Sequence, residues 1–227
     1  MLVRLPGILS PEQAIGLHER LLATHWADGK VTAGFQSGPV KENLQIGPDT
    51  AEGRALGEVV LRALEASPAF MSAALPRQVF PPLFNRYDVG MAFGMHVDNA
   101  VRQVPGTGQR LRTDLSATLF LSDPDSYDGG ELVIEDTYGT HRVKLAAGDM
   151  VLYPSRSLHR VEPVTRGSRI CSFLWMQSMV KSRDHREMLY ELDRSVQEIA
   201  GRGDANDPTV VRLTGLYHNL LREWGEL

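Results

Sequence analysis

Several features that mark particular classes of protein are scarce in this chain of 227 residues. Its one cysteine, Cys171, excludes an internal disulfide bond and any metal site built from several thiolates. No apolar run approaches the ~20 residues of a membrane span, and residues 1–6 lack the pattern of a signal peptide. Basic side chains number 24 against 28 acidic ones, without the positive excess typical of nucleic-acid binding. We therefore expect a cytoplasmic protein with no membrane association and no nucleic-acid partner.

The hydrophobic pattern changes its period twice along the chain. Residues 10–13 match a helix start with a capping box, and a helix ending near His25 follows; a second helix opens at Asp49 and stops at Ser67. Between residues 79 and 176, short strand-like runs alternate with turn signals, which predicts an antiparallel sandwich or barrel. We expect a mainly β fold with flanking helices in three parts: an N-terminal helical and strand segment (1–78), a β core (79–178) and a C-terminal helical tail (179–227).

The tail carries an apolar stripe at helical spacing, and Asp207 with the following proline starts a last helix. This stripe either packs within the chain or pairs with a second subunit as a homodimer, and we favour packing within the chain because the second helix offers a partner. The stripe consists of Leu189, Leu192, Val196 and Ile199.

Three residues have the spacing of a mononuclear iron site. His96 and Asp98 form an H-x-D pair, and in extended backbone residues i and i+2 point to the same face. His159 follows a strand and a proline-containing turn, where it can supply a third ligand. Two imidazoles and one carboxylate form the facial arrangement that holds non-haem Fe(II) and leaves positions open for other ligands. His96, Asp98 and His159 are therefore the candidate metal ligands and catalytic residues.

Arg169 lies in a mostly apolar strand ten residues after His159. A guanidinium in such a strand is costly unless an anion meets it, and its planar fork suits a carboxylate. A hairpin symmetric about Thr165 would place His159 opposite Cys171, with Arg169 as a diagonal neighbour on the same face. The alternative is a salt bridge between Arg169 and a nearby acid such as Glu162.

These residues, in this order, resemble the Fe(II)/2-oxoglutarate-dependent dioxygenases, and within them the bacterial PKHD-type hydroxylases of the branch associated with iron uptake. The resemblance runs nearly end to end. By resemblance the core is a double-stranded β-helix (jelly roll), the triad binds Fe(II), Arg169 binds 2-oxoglutarate and ascorbate re-reduces stray ferric iron. The motifs that carry it are RYDVG (86–90), HVD (96–98), YDGGEL (127–132), GDMVLYP (148–154), His159 and Arg169.

Other polar residues are open to two interpretations. Tyr87, nine residues before His96, either bonds the co-substrate, as a tyrosine often does in the prolyl-hydroxylase class, or is a core tyrosine; Asn85, on the same face, is a weaker candidate. We interpret Glu131, Glu135, Asp136 and His141 as a polar hairpin rather than a second metal site. The loop 99–112 carries Arg102, Arg110 and Arg112, which either meet an acidic substrate or, as we favour, are solvated.

The function that we expect is hydroxylation of a substrate C–H bond with dioxygen, coupled to decarboxylation of 2-oxoglutarate to succinate. The substrate is a prolyl or lysyl side chain of a peptide, or a small molecule. Alternatives are a cupin-like metalloenzyme of another reaction class, which would not need Arg169, and a non-enzymatic iron or 2-oxoglutarate sensor. Nucleic-acid demethylation would need a basic groove, which the net charge of −4 disfavours.

Overall fold

A computed structural model of the protein describes residues 1–32, 38–136, 139–203 and 206–226. In these ranges most of the chain is strand or helix. The helices are α1 (Pro11–Leu22), α2 (Ala51–Glu65), α3 (Pro68–Ala74), α4 (Arg183–Arg202) and α5 (Pro208–Trp224). The strands are β1 (Val3–Leu5), β2 (Ala27–Asp28), β3 (Leu44–Ile46), β4 (Pro76–Val79), β5 (Leu83–Tyr87), β6 (Phe93–His96), β7 (Val101–Gln103), β8 (Arg110–Arg112), β9 (Leu115–Phe120), β10 (Asp128–Gly129), β11 (Leu132–Asp136), β12 (Gly139–Val143), β13 (Met150–Pro154), β14 (His159–Val161), β15 (Val164–Arg166) and β16 (Arg169–Ser178).

Two antiparallel sheets form the core of the fold. The larger sheet has eight strands in the order β1-β13-β9-β16-β5-β3-β2, with β4 also paired to β16. The smaller sheet has four strands in the order β12-β11-β14-β6. The pairs β10-β15 and β7-β8 form two short ribbons. Strands β1, β2 and β3 lie in the N-terminal segment that was predicted to pack on the core, and they are members of the larger sheet. The division of the chain into three parts at residues 78 and 178 stays a prediction.

The larger sheet is covered on both faces, which explains its almost continuously buried central strands. Successive side chains of a strand point to opposite faces. On β16, Ile170 joins the apolar cluster formed with the N-terminal helices, and Cys171 joins the cluster between the two sheets. That second cluster includes Leu132 and Ile134 of the smaller sheet. The space between the sheets is therefore the place where polar residues of both can meet.

The N-terminal helices begin at side-chain caps. The capping box predicted for α1 is confirmed, since Ser10 Oγ accepts from the Gln13 amide while Gln13 Oε1 accepts from the Ser10 amide. The cap of α2 is Thr50, one residue after the expected start. The predicted stop at Ser67 is also the start of α3, because its hydroxyl accepts from the amide of Phe70 and a proline suits the first helical turn.

The two C-terminal helices pack against each other, and α4 also packs against α3. Leu189 of the predicted stripe is buried with Leu75 and Val180, and His185 stacks on Trp224 at a ring distance of 4.0 Å. These contacts agree with packing within the chain; pairing with a second copy stays a prediction. Among the described residues, no helix has the length and apolarity to span a membrane.

The predicted hairpin about Thr165 is wrong. His159 pairs with His96 in the smaller sheet, whereas Cys171 pairs with Asn85 and Phe120 in the larger one. The chain crosses from one sheet to the other between β14 and β16, so the two strands are not neighbours. Residues at the two ends of this crossing instead face a common space from opposite sheets.

Candidate active site

A pocket opens between the two sheets, and about 70 Å³ of it can hold the centre of a water molecule. Strands of both sheets line it, together with the segments that follow β6 and precede β3. All five residues singled out from the sequence line this one pocket: Tyr87, His96, Asp98, His159 and Arg169.

The pairing of β6 with β14 brings the candidate metal ligands together. His96 ends β6 directly opposite His159, and Asp98 follows two residues later. One ligand atom from each of the three side chains lies within 4.8 Å of the others, and His159 Nε2 is 3.8 Å from Asp98 Oδ2. Among the described residues this is the only such group of three potential ligands. The spacing of the sequence therefore corresponds to a real convergence in space.

Backbone carbonyls fix the tautomer of both imidazoles. His96 Nδ1 lies 2.8 Å from the carbonyl oxygen of Gly94, and His159 Nδ1 lies 3.0 Å from that of Ser157. Since a carbonyl oxygen only accepts, each Nδ1 carries the proton and each Nε2 presents its lone pair to the pocket. Burial and the neighbouring His159 ring lower the pKa of His96 to about 4, so this imidazole is neutral at neutral pH. The His96 ring is thus in the form that binds a metal.

The Asp98 carboxylate is oriented by a serine pair that the sequence gave no reason to select. Ser116 Oγ donates to Asp98 Oδ2 at 2.6 Å and lies 2.7 Å from Ser155 Oγ. A hydroxyl has one proton, so Ser155 must donate to Ser116 when Ser116 donates to the carboxylate. Ser116 lies on β9, 18 residues after Asp98, and Ser155 follows β13, 57 residues after Asp98. The two serines meet only because β9 and β13 are paired in the larger sheet.

Arg169 points its guanidinium into the same pocket from the larger sheet. Its residue exposure is 1%, and its Cζ lies 5.3 Å from the Tyr87 ring and 5.4 Å from the Phe120 ring. Nη1 donates to Asn85 Oδ1 at 3.4 Å, whereas Nε is buried without a hydrogen-bond partner among the described residues. The predicted alternative, an ion pair with Glu162, is wrong, because that carboxylate pairs with Arg142 and Arg160. A buried guanidinium with an unused donor fits an incoming carboxylate.

Two tyrosines lie around this guanidinium. Tyr87 is opposite Arg169 in the strand register, and burial raises its pKa to about 12, which keeps the phenol protonated. Tyr127, which sequence analysis did not single out, has a buried hydroxyl without a hydrogen-bond partner in the described part of the chain. Gly130 has φ +66°, and a Cβ there would lie 3.1 Å from Arg169 Cδ and 3.2 Å from the Tyr127 ring. The absence of a side chain at Gly130 therefore lets the chain pass close to the guanidinium.

The acidic hairpin is not a second metal site. Glu131 pairs with Arg142 and Glu135 pairs with Arg160, at 3.5 Å each. His141 is exposed on β12. The interpretation of the acidic residues as a polar hairpin agrees with these ion pairs.

Cys171 is a fully buried free thiol in the apolar cluster between the sheets.

Comparison with known proteins gives the family. Residues 82–177 match the model of the 2OG-Fe(II) oxygenase superfamily, and residues 184–226 match the C-terminal domain of PKHD-type hydroxylases. The chain is 60% identical to a PKHD-type hydroxylase of Gluconobacter oxydans and 56% identical to one of Methylobacterium nodulans, each over 227 residues and the full length of both chains. The chain belongs to the PKHD-type hydroxylases. It is an enzyme of the 2OG-Fe(II) oxygenase superfamily, as the sequence predicted.

The fold of this PKHD-type hydroxylase is similar to that of solved oxygenases. A prolyl-4-hydroxylase of Pseudomonas putida superposes with a TM-score of 0.54 at 20% identity, covering 78% of this chain and 92% of that one. The predicted mainly β fold with flanking helices, similar to the double-stranded β-helix of such oxygenases, is thereby confirmed. The family implies Fe(II), 2-oxoglutarate and dioxygen, and membership in it argues against the cupin-like and sensor alternatives.

The pocket of this PKHD-type hydroxylase also contains two cations that sequence analysis missed or misread. Lys41 lies just before β3, and Arg102 lies on β7. Nothing in the local sequence marks Lys41, because it is 55 residues from the nearest candidate ligand and enters the site only through a β-bridge to Phe93. Arg102 was expected to be solvated, and its position in the pocket contradicts that expectation.

Proposed function

We propose that His96, Asp98 and His159 hold Fe(II), and that Arg169 binds the distal carboxylate of 2-oxoglutarate. In this proposal the enzyme hydroxylates a C–H bond of a peptidyl prolyl or lysyl residue or of a small molecule. The observation that carries it is the convergence of one ring nitrogen from each histidine and one carboxylate oxygen within 4.8 Å. When bound, the iron supplies dioxygen-dependent decarboxylation of 2-oxoglutarate to succinate, coupled to hydroxylation of the substrate.

The donor set fits Fe(II). Two neutral imidazoles and one carboxylate are the ligands of non-haem Fe(II) oxygenases, and they leave positions free for a chelating acid and dioxygen. The carbonyls of Gly94 and Ser157 hold the rings with Nε2 toward the pocket, and Ser116 holds the carboxylate. Such outer contacts orient a ligand before the metal arrives, which reduces the cost of binding.

Arg169 and Tyr87 fit the co-substrate. A carboxylate at Arg169 would receive charge-assisted hydrogen bonds and would use the Nε–H that has no other partner among the described residues. In the proposal Tyr87 supports this site as a hydrogen-bond donor, for which its raised pKa keeps the proton in place. The apolar cluster around these groups, including Phe120 and Ile134, excludes water from the deep end of the pocket.

Two variants test the assignment through different failures. His159→Ala removes a proposed metal ligand, so the protein should lose Fe(II) binding and succinate formation together. Arg169→Ala leaves the triad intact, so Fe(II) binding should persist while the Kd for 2-oxoglutarate rises steeply. His141→Ala, an exposed histidine on β12, is the matched control and should behave as the parent. Succinate formation equal to the parent in both site variants would contradict the proposal.

Two further expectations belong to this proposal and stay predictions. The first is that ascorbate sustains turnover by reducing ferric iron, which a time course of succinate formation with and without ascorbate would test. The second is a cytoplasmic location, which fractionation of cells producing the protein would test.

A further inference from the structure

A half-buried arginine of the β7-β8 ribbon lines the pocket. The Cζ of Arg102 is 3.5 Å from the centre of the Trp175 ring and 5.6 Å from that of Phe80. Asp98 is the carboxylate whose charge acts on it, yet the two form no ion-pair contact. By contrast, Arg112 of the same ribbon is neutralised by Asp114 at 2.8 Å. Arg102 therefore presents its charge to the pocket rather than to a neighbouring acid.

A second cation lies near it. Lys41 is 3% exposed, and its Nζ lies 5.3 Å from the ring of Phe93, which itself stacks on His96 at 3.6 Å. Burial and the neighbouring Arg102 guanidinium lower the pKa of Lys41 to about 8, so the ammonium is still mostly charged at neutral pH. Two like charges near each other and away from water raise the free energy of the pocket, and an anion bound at the Arg102 guanidinium would lower it.

The charge balance of the loaded pocket also calls for an anion. Three cationic side chains, Lys41, Arg102 and Arg169, line the pocket with one carboxylate, Asp98. Under the proposed function, the two positive charges of Fe(II) are cancelled by the two negative charges of 2-oxoglutarate. Two positive charges then remain among the lining residues, and the Arg102 guanidinium lies over the aromatic rings of Trp175 and Phe80.

From this arrangement we infer that Arg102 and Lys41 bind a carboxylate group of the primary substrate. The substrate class is a carboxylic acid whose apolar part lies against Trp175 and Phe93. A guanidinium stacked on an indole keeps its planar edge free for a carboxylate, which favours two parallel hydrogen bonds. This inference rests on the proposed function, since it takes the triad and Arg169 as occupied by the metal and 2-oxoglutarate.

The test uses the full chain loaded with Zn(II) and saturating 2-oxoglutarate, so that no turnover occurs and the co-substrate site is filled. The probes are phenylacetate, its neutral amide phenylacetamide and phenyl phosphate, with binding measured by ligand-observed NMR and calorimetry. The parent should bind phenylacetate roughly 10-fold to 100-fold more tightly than the amide, as expected for hydrogen bonds to charged groups. Arg102→Gln and Lys41→Gln should each lose most of that preference, while Arg110→Gln, at an exposed position of the same ribbon, should keep it.

Several results would overturn the inference. The inference fails if the parent binds the acid and the amide equally, if it binds phenyl phosphate more tightly than phenylacetate, or if it binds no probe. In each of these cases, normal binding of 2-oxoglutarate would leave the proposed function standing. A large rise of the Kd for 2-oxoglutarate in Arg102→Gln would assign this residue to the co-substrate instead. Failure of the parent to bind 2-oxoglutarate would overturn the proposed function and this inference together.

Discussion

Replacing Arg169 by methionine should stabilise the unliganded enzyme and abolish co-substrate binding at once. The guanidinium is 1% exposed, its Nε lacks a partner among the described residues, and the groups that act on it most strongly are the Cys171 thiol and tyrosine phenols. Exchange of a buried ion pair for apolar side chains of similar volume is often neutral or stabilising by about 1–4 kcal/mol, and a buried guanidinium without an ion-pair partner has less attraction to lose. The thioether would also contact the Tyr87 and Phe120 rings, which replaces part of the lost cation–π attraction.

The magnitude follows from these terms. We expect the free energy of unfolding of Arg169→Met to exceed that of the parent by about 1–2 kcal/mol, which for a chain of this length raises Tm by roughly 2–8 °C. Addition of 2-oxoglutarate at about 100 times its Kd should stabilise the parent by a further ~2.7 kcal/mol, because the ligand binds only the folded state. In Arg169→Met the lost charge-assisted bonds cost about 3 kcal/mol of binding, or roughly 100-fold in Kd, so this second increase should nearly vanish.

The assay is thermal unfolding of the Zn(II)-loaded protein with and without 2-oxoglutarate. Arg166→Met is the matched control, since Arg166 lies on the exposed ribbon strand and pairs with an exposed Asp128. It should change neither the Tm nor its response to 2-oxoglutarate by more than a degree or so. The reasoning is refuted if Arg169→Met melts well below the parent without ligand, or if 2-oxoglutarate still raises its Tm as in the parent.

Three other substitutions test separate parts of the account. Ser116→Ala removes the hydrogen bond that orients the aspartate of the triad, so the Kd for Co(II) by absorption titration should rise about 10-fold, and an unchanged Kd would argue against the positioning role. Gly130→Ala forces a positive φ on alanine and crowds the Arg169 side chain, so denaturant unfolding should show a loss of about 1–3 kcal/mol with weaker 2-oxoglutarate binding, whereas Gly106→Ala, with φ +72° but open space, should lose only about 1 kcal/mol and bind normally. Ser10→Ala removes the cap of the first helix and should cost about 1 kcal/mol in the same unfolding experiment without any change in 2-oxoglutarate affinity; a loss of affinity would mean that this distant helix affects the site.

The sequence was most informative where chemistry is tied to local spacing. The H-x-D pair of His96 and Asp98 fixes two candidate ligands within one strand end, and a charged Arg169 inside an apolar strand stands out on energetic grounds alone. The helix starts at Ser10 and Asp207 follow from local capping. Each of these features depends on neighbours within a few positions, so it can be read without the fold.

Features that depend on strand pairing were predicted poorly. The hairpin proposed between β14 and β16 was the simplest local pairing, but the chain crosses to the other sheet, and His159 pairs with His96 instead. Ser116 meets Asp98, and Lys41 meets Phe93, only because distant strands are neighbours in the sheets. Arg102 was misjudged because stacking on Trp175, rather than charge or local pattern, turns it into the pocket.

An anaerobic titration of the full chain with Fe(II) and then 2-oxoglutarate, followed by visible absorption, tests the central claim most directly. The parent should develop a metal-to-ligand charge-transfer band that saturates at one equivalent of iron. His159→Ala should not develop it, and Arg169→Met should develop it only at far higher 2-oxoglutarate. A band that never forms in the parent, or that forms equally in His159→Ala, would contradict the assignment of iron and co-substrate to this pocket.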